Sequence, residues 1–120
     1  MYNIRTFETY IYIVGHVEMG FKDIRALIIE KIRTKQIQHE QRKDSKEKNL
    51  YAHGLISDDD VIALILSCRG NEYSVAPHHN YRSIDVHFMK PIKKGVKWYI
   101  KAYFLEPDAV FISVHPQKND

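Results

Sequence analysis

Three segments in the second half of the chain alternate between apolar and other residues, with only short turns between them. In the segments 84–89, 96–104 and 110–115, every second residue is apolar. A period of two places those side chains on one face of a strand, so each segment is predicted to be a strand. The intervening "KPIKKG" and "LEPD" supply the proline or glycine that favours turns. The sequence therefore predicts an antiparallel meander, to which "EYSVA" could add a fourth short strand.

The first half of the chain predicts two helices and one further strand. From Phe21 to about Gln36, apolar residues recur at helical spacing. Ser57, followed three residues later by Asp60, predicts the N-terminal cap of a second helix. Residues 9–17, "TYIYIVGHV", are rich in β-branched and aromatic residues and predict a strand. The predicted fold class is α+β, with two helices packed on an antiparallel sheet that ends in a three- to four-stranded meander.

Length and composition predict a single domain covering residues 1–120. Hydrophobic residues make up 44% and charged residues 28%, which is typical of globular proteins. No apolar stretch approaches the roughly 20 residues that span a bilayer, and the first ten residues contain no apolar signal core. The single cysteine, Cys68, cannot form an internal disulfide. These features favour the cytoplasm and predict no membrane partner.

The charged residues favour a polyanionic partner and predict one mobile segment. The formal net charge is +3, and the positive residues concentrate in two groups, Lys31–Lys48 and Lys90–Lys101. Part of the first group falls in "HEQRKDSKEKN", which has no apolar residue to pack. That stretch could continue the first helix, but we predict a mobile charged segment near 38–50.

Two short motifs raise the question of a metal site. Asp58, Asp59 and Asp60 are consecutive, and consecutive residues on a helix point in different directions. Their position in the first turn is explained by the helix dipole. The adjacent histidines of "HHN" at 78–80 face opposite ways in an extended segment. The sequence therefore predicts neither a metal nor another cofactor.

The second face of the meander carries the residues that could perform chemistry. If the segment 84–89 pairs with 97–103 and the last hairpin closes around "LEPD", directly opposed residues share a face about 5 Å apart. A slip of one residue would turn apolar side chains outward, so the hydrophobic pattern favours this register. The predicted first row is His87, Tyr99 and His115, and the second row is Asp85, Lys101 and Ser113.

These residue types suit RNA cleavage without a metal ion. In that reaction the 2′-hydroxyl attacks its own phosphate, and histidine can take or supply a proton near neutral pH. Lysines can stabilise the developing phosphorane charge, and tyrosine can stack a base. On pattern alone, an ordinary solvated sheet face that carries two histidines explains the residues better. Both interpretations stay open.

The second half of the chain also resembles a known family. The motifs are "DDDVIALILSC", "NEYS", "IDV", the turn with proline and glycine, the strand core "YIK" and the closing "FISV". In this order they resemble the MqsR-type toxins, ribonucleases of bacterial toxin–antitoxin modules with a RelE-like α+β fold. The resemblance covers roughly residues 58–118.

The resemblance implies roles for two aromatic residues. Tyr99 matches the family's active-site tyrosine, and Tyr73 matches the aromatic residue after the helix. Three positions depart from the family pattern. Ser74 and His115 stand where the family has lysines, and Ile84 stands where it has a glutamine. Either the chemistry has moved to histidines, or the chain keeps the fold without the activity.

The expected function is therefore an endoribonuclease toxin, an mRNA interferase that needs no metal and is silenced by a cognate antitoxin protein. The alternative is a non-catalytic RNA-binding or protein-interaction module of the same fold. The oligomeric state stays open, a homodimer included. The predicted catalytic residues are Tyr99, His87, His115 and Lys101. The predicted RNA-binding residues are Lys97, Tyr103, Arg82, Lys90 and Tyr73.

Overall fold

A computed structural model describes residues 11–12, 17–41 and 48–117 of the chain. Its helices are α1 (Phe21–Arg33) and α2 (Asp58–Ser67), and a short 3-10 helix (Gly70–Glu72) follows α2. Its strands are β1 (Ile11–Tyr12), β2 (Val17–Glu18), β3 (Ile37–His39), β4 (Tyr73–Pro77), β5 (Asp85–Met89), β6 (Ile92–Lys93), β7 (Val96–Leu105) and β8 (Asp108–Pro116). Neither described helix is long and apolar enough to cross a membrane.

One six-stranded sheet forms the centre of the fold. The strands β3, β8, β7, β5 and β4 lie side by side in that order, and β6 pairs with β7. The pairs β4–β5, β5–β7 and β7–β8 are antiparallel, whereas β3 runs parallel to β8. The predicted α+β class and the meander are confirmed, and the meander has four long strands.

Both helices pack against the same side of this sheet, which we call the helix face. Helical spacing places the apolar residues of α1 and α2 in one buried cluster with residues of β5, β7 and β8. The fully buried members of this cluster are Ile24, Ile28, Ile32, Val61, Ile65, Cys68, Met89, Ile100, Ala102, Ala109, Phe111 and Val114. The opposite side, which we call the far face, carries a second buried cluster of Val86, Tyr103, Val110 and Ile112.

The start of α2 has the predicted cap. The Asp60 N–H donates to Ser57 Oγ at 3.1 Å, and the Ser57 N–H donates to Asp60 Oδ2 at 3.2 Å. Asp58 accepts a hydrogen bond from the Tyr51 hydroxyl at 2.6 Å and pairs with Lys35. The acidic first turn of α2 is therefore tied to the loop before the helix and to the residues that follow α1.

Replacing Ser57 with alanine is expected to destabilise the protein by about 1 kcal/mol, because the Asp60 N–H loses its acceptor. Urea unfolding followed by circular dichroism measures this loss. Ser67→Ala at the other end of α2 is the matched control. The Ser67 hydroxyl donates to the carbonyl of Leu64 within the same helix and caps no free backbone N–H, so we expect a smaller effect. Equal losses for the two variants would contradict the capping role.

The described parts of the N-terminal region differ from the predicted single strand 9–17. Ile11 pairs with Glu18 and Tyr12 with Val17, in an antiparallel arrangement. The stretch is therefore two short strands that pair with each other, and residues 9–10 and 13–16 lie outside the described residues.

The end of α1 and the charged segment after it also differ from the prediction. The helix ends at Arg33 rather than near Gln36, because Lys35 has a positive φ of 63° that a continuing helix cannot accommodate. Ile37–His39 then joins the sheet as β3, and Asn49 bridges to Val114. Both ends of the predicted mobile segment 38–50 are thus anchored to β8, while residues 42–47 lie outside the described part of the chain.

The predicted register of β5 is wrong by an odd number of residues. His87 pairs with Ala102 rather than with Tyr99, and Met89 pairs with Ile100. An odd shift exchanges the two faces, so His87 and Met89 lie on the helix face. The alternating pattern predicted the wrong face because Val86 and Phe88, the residues on the opposite face of β5, pack with the far-face cluster. A strand that is apolar on both faces does not specify its own orientation.

The predicted faces of β8 are wrong between the turn and a β-bulge, at residues 110–112. Lys101 pairs with Ser113 as predicted, but Ala102 pairs with Phe111, so Ile112 is an extra residue in a β-bulge. The bulge turns Phe111 onto the helix face and leaves Val110 and Ile112 in the far-face cluster. A period-two pattern cannot reveal such an insertion when the residues on either side of it are all apolar.

Candidate functional site

Basic and aromatic side chains meet at one end of the far face, in a group we call the far-face patch. Its members are Phe88, Lys90, Tyr99, Lys101 and His115. Tyr99 lies opposite His115 across β7 and β8, as predicted, and their ring centroids are 5.5 Å apart. Phe88 lies opposite Lys101 across β5 and β7. Three neighbouring strands therefore contribute to the patch.

Two ammonium groups approach the ring of Tyr99. The Nζ atoms of Lys90 and Lys101 are each 5.6 Å from its centroid, and Lys101 Nζ is also 5.5 Å from the centroid of Phe88. These distances permit cation–π attraction, which favours a fixed orientation of the tyrosine ring. Partial burial raises the pKa of the Tyr99 phenol, so the hydroxyl keeps its proton and can donate a hydrogen bond.

The tautomer of His115 follows from its hydrogen bond. His115 Nδ1 lies 2.8 Å from the carbonyl oxygen of Pro116, and a carbonyl can only accept. Nδ1 therefore carries the proton, and in the neutral ring Nε2 has the lone pair. His115 is only partly buried, so this nitrogen belongs to a side chain that solvent reaches. The ring can accept a proton next to Tyr99.

His87, predicted to lie in the same row, is on the helix face. Its side chain is fully buried, and Nδ1 is 2.8 Å from the Tyr73 hydroxyl. The ring stacks on Tyr73 and meets Phe104 edge-on, with centroids 6.0 Å and 5.4 Å away. Burial lowers the pKa of His87 to about 3, so the ring is neutral at neutral pH. The sheet separates His87 from Tyr99 and His115.

The remaining predicted residues divide between the two faces. Lys97 is exposed and shares the far face with Tyr99 by strand alternation. Arg82 is exposed in the connection between β4 and β5. Tyr103 is on the far face but buried, whereas Tyr73 is on the helix face with its ring centroid 4.8 Å from that of Phe21. Only Lys97 and Arg82 of these four are exposed to a ligand.

Of the two residues predicted to lie beside Lys101, one is displaced and one lies as predicted. Asp85 was predicted to lie opposite Lys101, but it pairs with Pro77 at the other end of β5. Ser113 does lie opposite Lys101, and its side chain is buried. The second predicted row therefore forms only between β7 and β8.

A polar network on the far face was not predicted. His78 is 1% exposed, and its Nε2 lies 2.8 Å from Glu40 Oε2, which also accepts from the Tyr103 hydroxyl at 2.9 Å. The backbone N–H groups of Asn80 and Tyr81 donate to His78 Nδ1, so Nε2 carries the proton that Glu40 accepts. The network ties the β4–β5 connection to the sheet. The side chains of Glu40, His78 and Tyr103 are 25 to 63 residues apart in sequence, so no local motif predicts the network.

The first basic group does not form one surface in the described part of the chain. Lys31 is buried and donates to Glu106 Oε1 at 3.0 Å and to the Pro107 carbonyl at 2.5 Å. Lys35 pairs with Asp58. These two lysines stabilise the fold, so their charges are already matched within the protein.

Comparison of the chain with protein-family models, with curated proteins and with solved structures finds no match in any of the three.

Proposed function

We propose that this protein binds single-stranded RNA through the far-face patch. The observation that carries the proposal is the ring of Tyr99, partly exposed, with two lysine ammonium groups 5.6 Å from its centroid. Single strands present both flat bases and phosphates. Proteins that bind them without strict sequence choice combine aromatic side chains with a basic groove.

The residues around Tyr99 offer contacts to several nucleotides of an RNA strand rather than to one base. Phe88 is 6.2 Å from Tyr99, centroid to centroid, and offers a second aromatic surface. Lys97 adds a positive charge along β7, and Lys90 adds one at the end of β5. A strand of RNA crossing β7 would thus meet rings and cations in alternation, and phosphate contacts would supply most of the affinity.

Tyr99→Ala is expected to weaken RNA binding about 5- to 150-fold, the range that corresponds to losing one stacked base at 1–3 kcal/mol. The measurement is fluorescence anisotropy with a labelled single-stranded RNA of about ten nucleotides. Tyr99→Phe is the matched control, because it keeps the ring and removes only the hydroxyl, and it should bind within about twofold of the wild type. If Tyr99→Ala binds as tightly as Tyr99→Phe, the patch is not the binding surface.

A second candidate function is RNA cleavage by a toxin of the MqsR-type, RelE-like class, with an antitoxin covering the far face. It is favoured because three of the four predicted catalytic residues, Tyr99, Lys101 and His115, meet in the patch. In this candidate His115 Nε2 takes the proton of the 2′-hydroxyl as its oxygen attacks phosphorus. Tyr99 donates a proton to the departing 5′-oxygen, and Lys101 stabilises the phosphorane charge. The products are a 2′,3′-cyclic phosphate and a 5′-hydroxyl.

Ser74 is the reason for ranking binding before cleavage. It is exposed and pairs with Phe88, so it belongs to the far-face row of Phe88 and Lys101. This is the position at which the MqsR-type pattern carries a lysine. A catalytic cation is therefore replaced by a hydroxyl beside the patch, which leaves a surface suited to binding.

The two candidates are distinguished by incubating RNA with the purified protein in EDTA. Cleavage that leaves 2′,3′-cyclic phosphate ends and is lost in His115→Ala would establish the second candidate. Intact RNA together with salt-dependent binding would support the first candidate and exclude cleavage. Absence of both binding and cleavage at low salt would contradict both, and a protein partner would remain as the alternative.

A further inference from the structure

A groove of about 690 Å³ lies between the start of α1 and the end of α2. Three of the residues that line it are cations, and none carries a carboxylate. The lining residues are Gly20, Phe21, Lys22, Arg25, Leu66, Ser67, Cys68, Arg69 and Gly70. The groove is therefore electropositive and has an apolar floor.

Among the described residues, no ion pair neutralises the cations of the groove. In the part of the chain that the structure describes, neither Lys22 nor Arg69 forms an ion pair. Arg25 donates to the Cys68 carbonyl at 2.9 Å and lies over the Phe21 ring at 5.1 Å, so its guanidinium is fixed in place. These contacts leave other N–H groups of Arg25 able to bind an anion.

Two carboxylates close in sequence to these cations each accept a backbone hydrogen bond. Asp23 Oδ2 accepts from the Gly20 N–H at 3.2 Å, which caps α1. Glu72 Oε1 accepts from the Arg69 N–H at 2.8 Å. Neither residue lines the groove. An incoming anion would therefore meet Lys22, Arg25 and Arg69 without a competing acid in the lining.

The groove and the far-face patch border the same short segment of chain. The Lys90 N–H donates to the Glu72 carbonyl at 2.9 Å, so the patch begins beside Glu72. Arg69 lies three residues earlier and lines the groove. Arg69 precedes the 3-10 helix Gly70–Glu72 and Lys90 is hydrogen-bonded to its last residue, so each surface has one cation next to this segment.

We propose that the groove binds phosphates of an RNA strand that leaves the patch around this 3-10 helix, which makes it a second phosphate subsite. This inference rests on the proposed RNA binding at the patch. Lysine and arginine are the usual ligands of phosphate, and arginine can bind it with two parallel hydrogen bonds. The groove adds affinity to the binding site and makes it longer. Its contacts are to RNA phosphates, so they add no preference for particular bases.

The test is a salt series with the double variant Lys22→Gln and Arg69→Gln. For single strands, the slope of log K against log salt changes by about 0.7 for each neutralised phosphate. The double variant should therefore lower the slope by about 1.4 with a twelve-nucleotide RNA. Both replaced side chains are exposed, and thermal unfolding checks that the fold is retained. With a trinucleotide that only covers the patch, the double variant should match the wild type.

Arg33→Gln is the matched control for charge. Arg33 is exposed in the last turn of α1, about 17 Å along the helix from Lys22, and the variant removes one positive charge from the same helix. Arg33→Gln should leave the slope of log K against log salt unchanged, both for the twelve-nucleotide RNA and for the trinucleotide.

Two results would overturn the groove as a subsite. One is an unchanged slope with the long RNA although Tyr99→Ala weakens binding, and this result leaves the proposed function intact. The other is an equal loss for the long RNA and the trinucleotide, which indicates a general effect of net charge. If the wild type binds no RNA, the proposed function and the groove inference both fail.

Discussion

Phe111→Ala is expected to destabilise the protein by about 3–5 kcal/mol, the usual range for removing a large aromatic side chain from a core. Phe111 is fully buried on the helix face, next to β3. Its ring meets that of Tyr51 edge-on at 5.2 Å and lies 6.0 Å from that of His39. Alanine would leave a cavity that three separate segments of chain would have to fill. Urea unfolding measures the loss.

The matched control is Leu105→Ala at the end of β7. Leu105 belongs to the same hairpin but is 51% exposed, so its loss should cost well under 1 kcal/mol. The comparison also tests the bulge in β8. If the pattern of alternating residues were right, Phe111 would point to the far face beside solvated residues. Losses of similar size for the two variants would therefore contradict the bulge.

Local signals in the sequence were enough to predict both helices and the strands of the meander. The cap formed by Ser57 and Asp60, the helical spacing from Phe21 and the turns around Gly95 all act over a few residues. Each such signal has its own physical cause, and it operates whatever the rest of the chain does. The predicted α+β class and the predicted meander of three to four strands depend only on these signals, and both are confirmed.

The register between strands depends on contacts that the local pattern does not contain. β5 carries apolar residues on both faces, because Met89 packs in the helix-face cluster and Val86 in the far-face cluster. The extra residue Ile112 is accommodated because both faces of β8 are buried at that point. In each case the two alternative registers bury similar side chains, so only the assembled sheet decides between them.

The part of the candidate site on the hairpin of β7 and β8 was predicted in the correct register. Counted from the turn, Tyr99 and Lys101 lie beyond the bulge, where the extra residue Ile112 places them opposite His115 and Ser113. His87 lies on β5, where the predicted register was wrong, and its side chain is on the helix face. The groove could not be predicted because it joins the start of α1 to the end of α2, and a sequence pattern does not show which helix ends meet.

The stability of the protein is expected to fall as the pH drops from about 6.5 to 4, and His87 should account for about 3 kcal/mol of the loss. Burial lowers the pKa of His87 to about 3, whereas an unfolded chain has a histidine pKa near 6.5. Between these values the unfolded state binds a proton that the folded state does not, so lowering the pH favours unfolding. Each pH unit in this window changes the stability by about 1.4 kcal/mol.

The contribution of His87 is isolated by comparing two variants over this pH range. The double variant Tyr73→Phe and His87→Leu removes the titrating ring together with its hydroxyl partner. Tyr73→Phe alone is the control, because it keeps the buried imidazole. Burial also lowers the pKa of His39, but His39 is present in both variants, so it cancels in the difference. Urea unfolding at intervals between pH 7 and pH 4 gives the two slopes.

The slope of the control should exceed that of the double variant by about 1.4 kcal/mol per pH unit below pH 6.5. Equal slopes would mean that His87 takes up protons in the folded state as readily as in the unfolded chain. The imidazole would then be accessible to solvent, and the helix-face position of His87 would be wrong. The row of His87, Tyr99 and His115 would become available again for proton transfer to RNA. The pH dependence of folding thus decides which histidines the cleavage candidate can use.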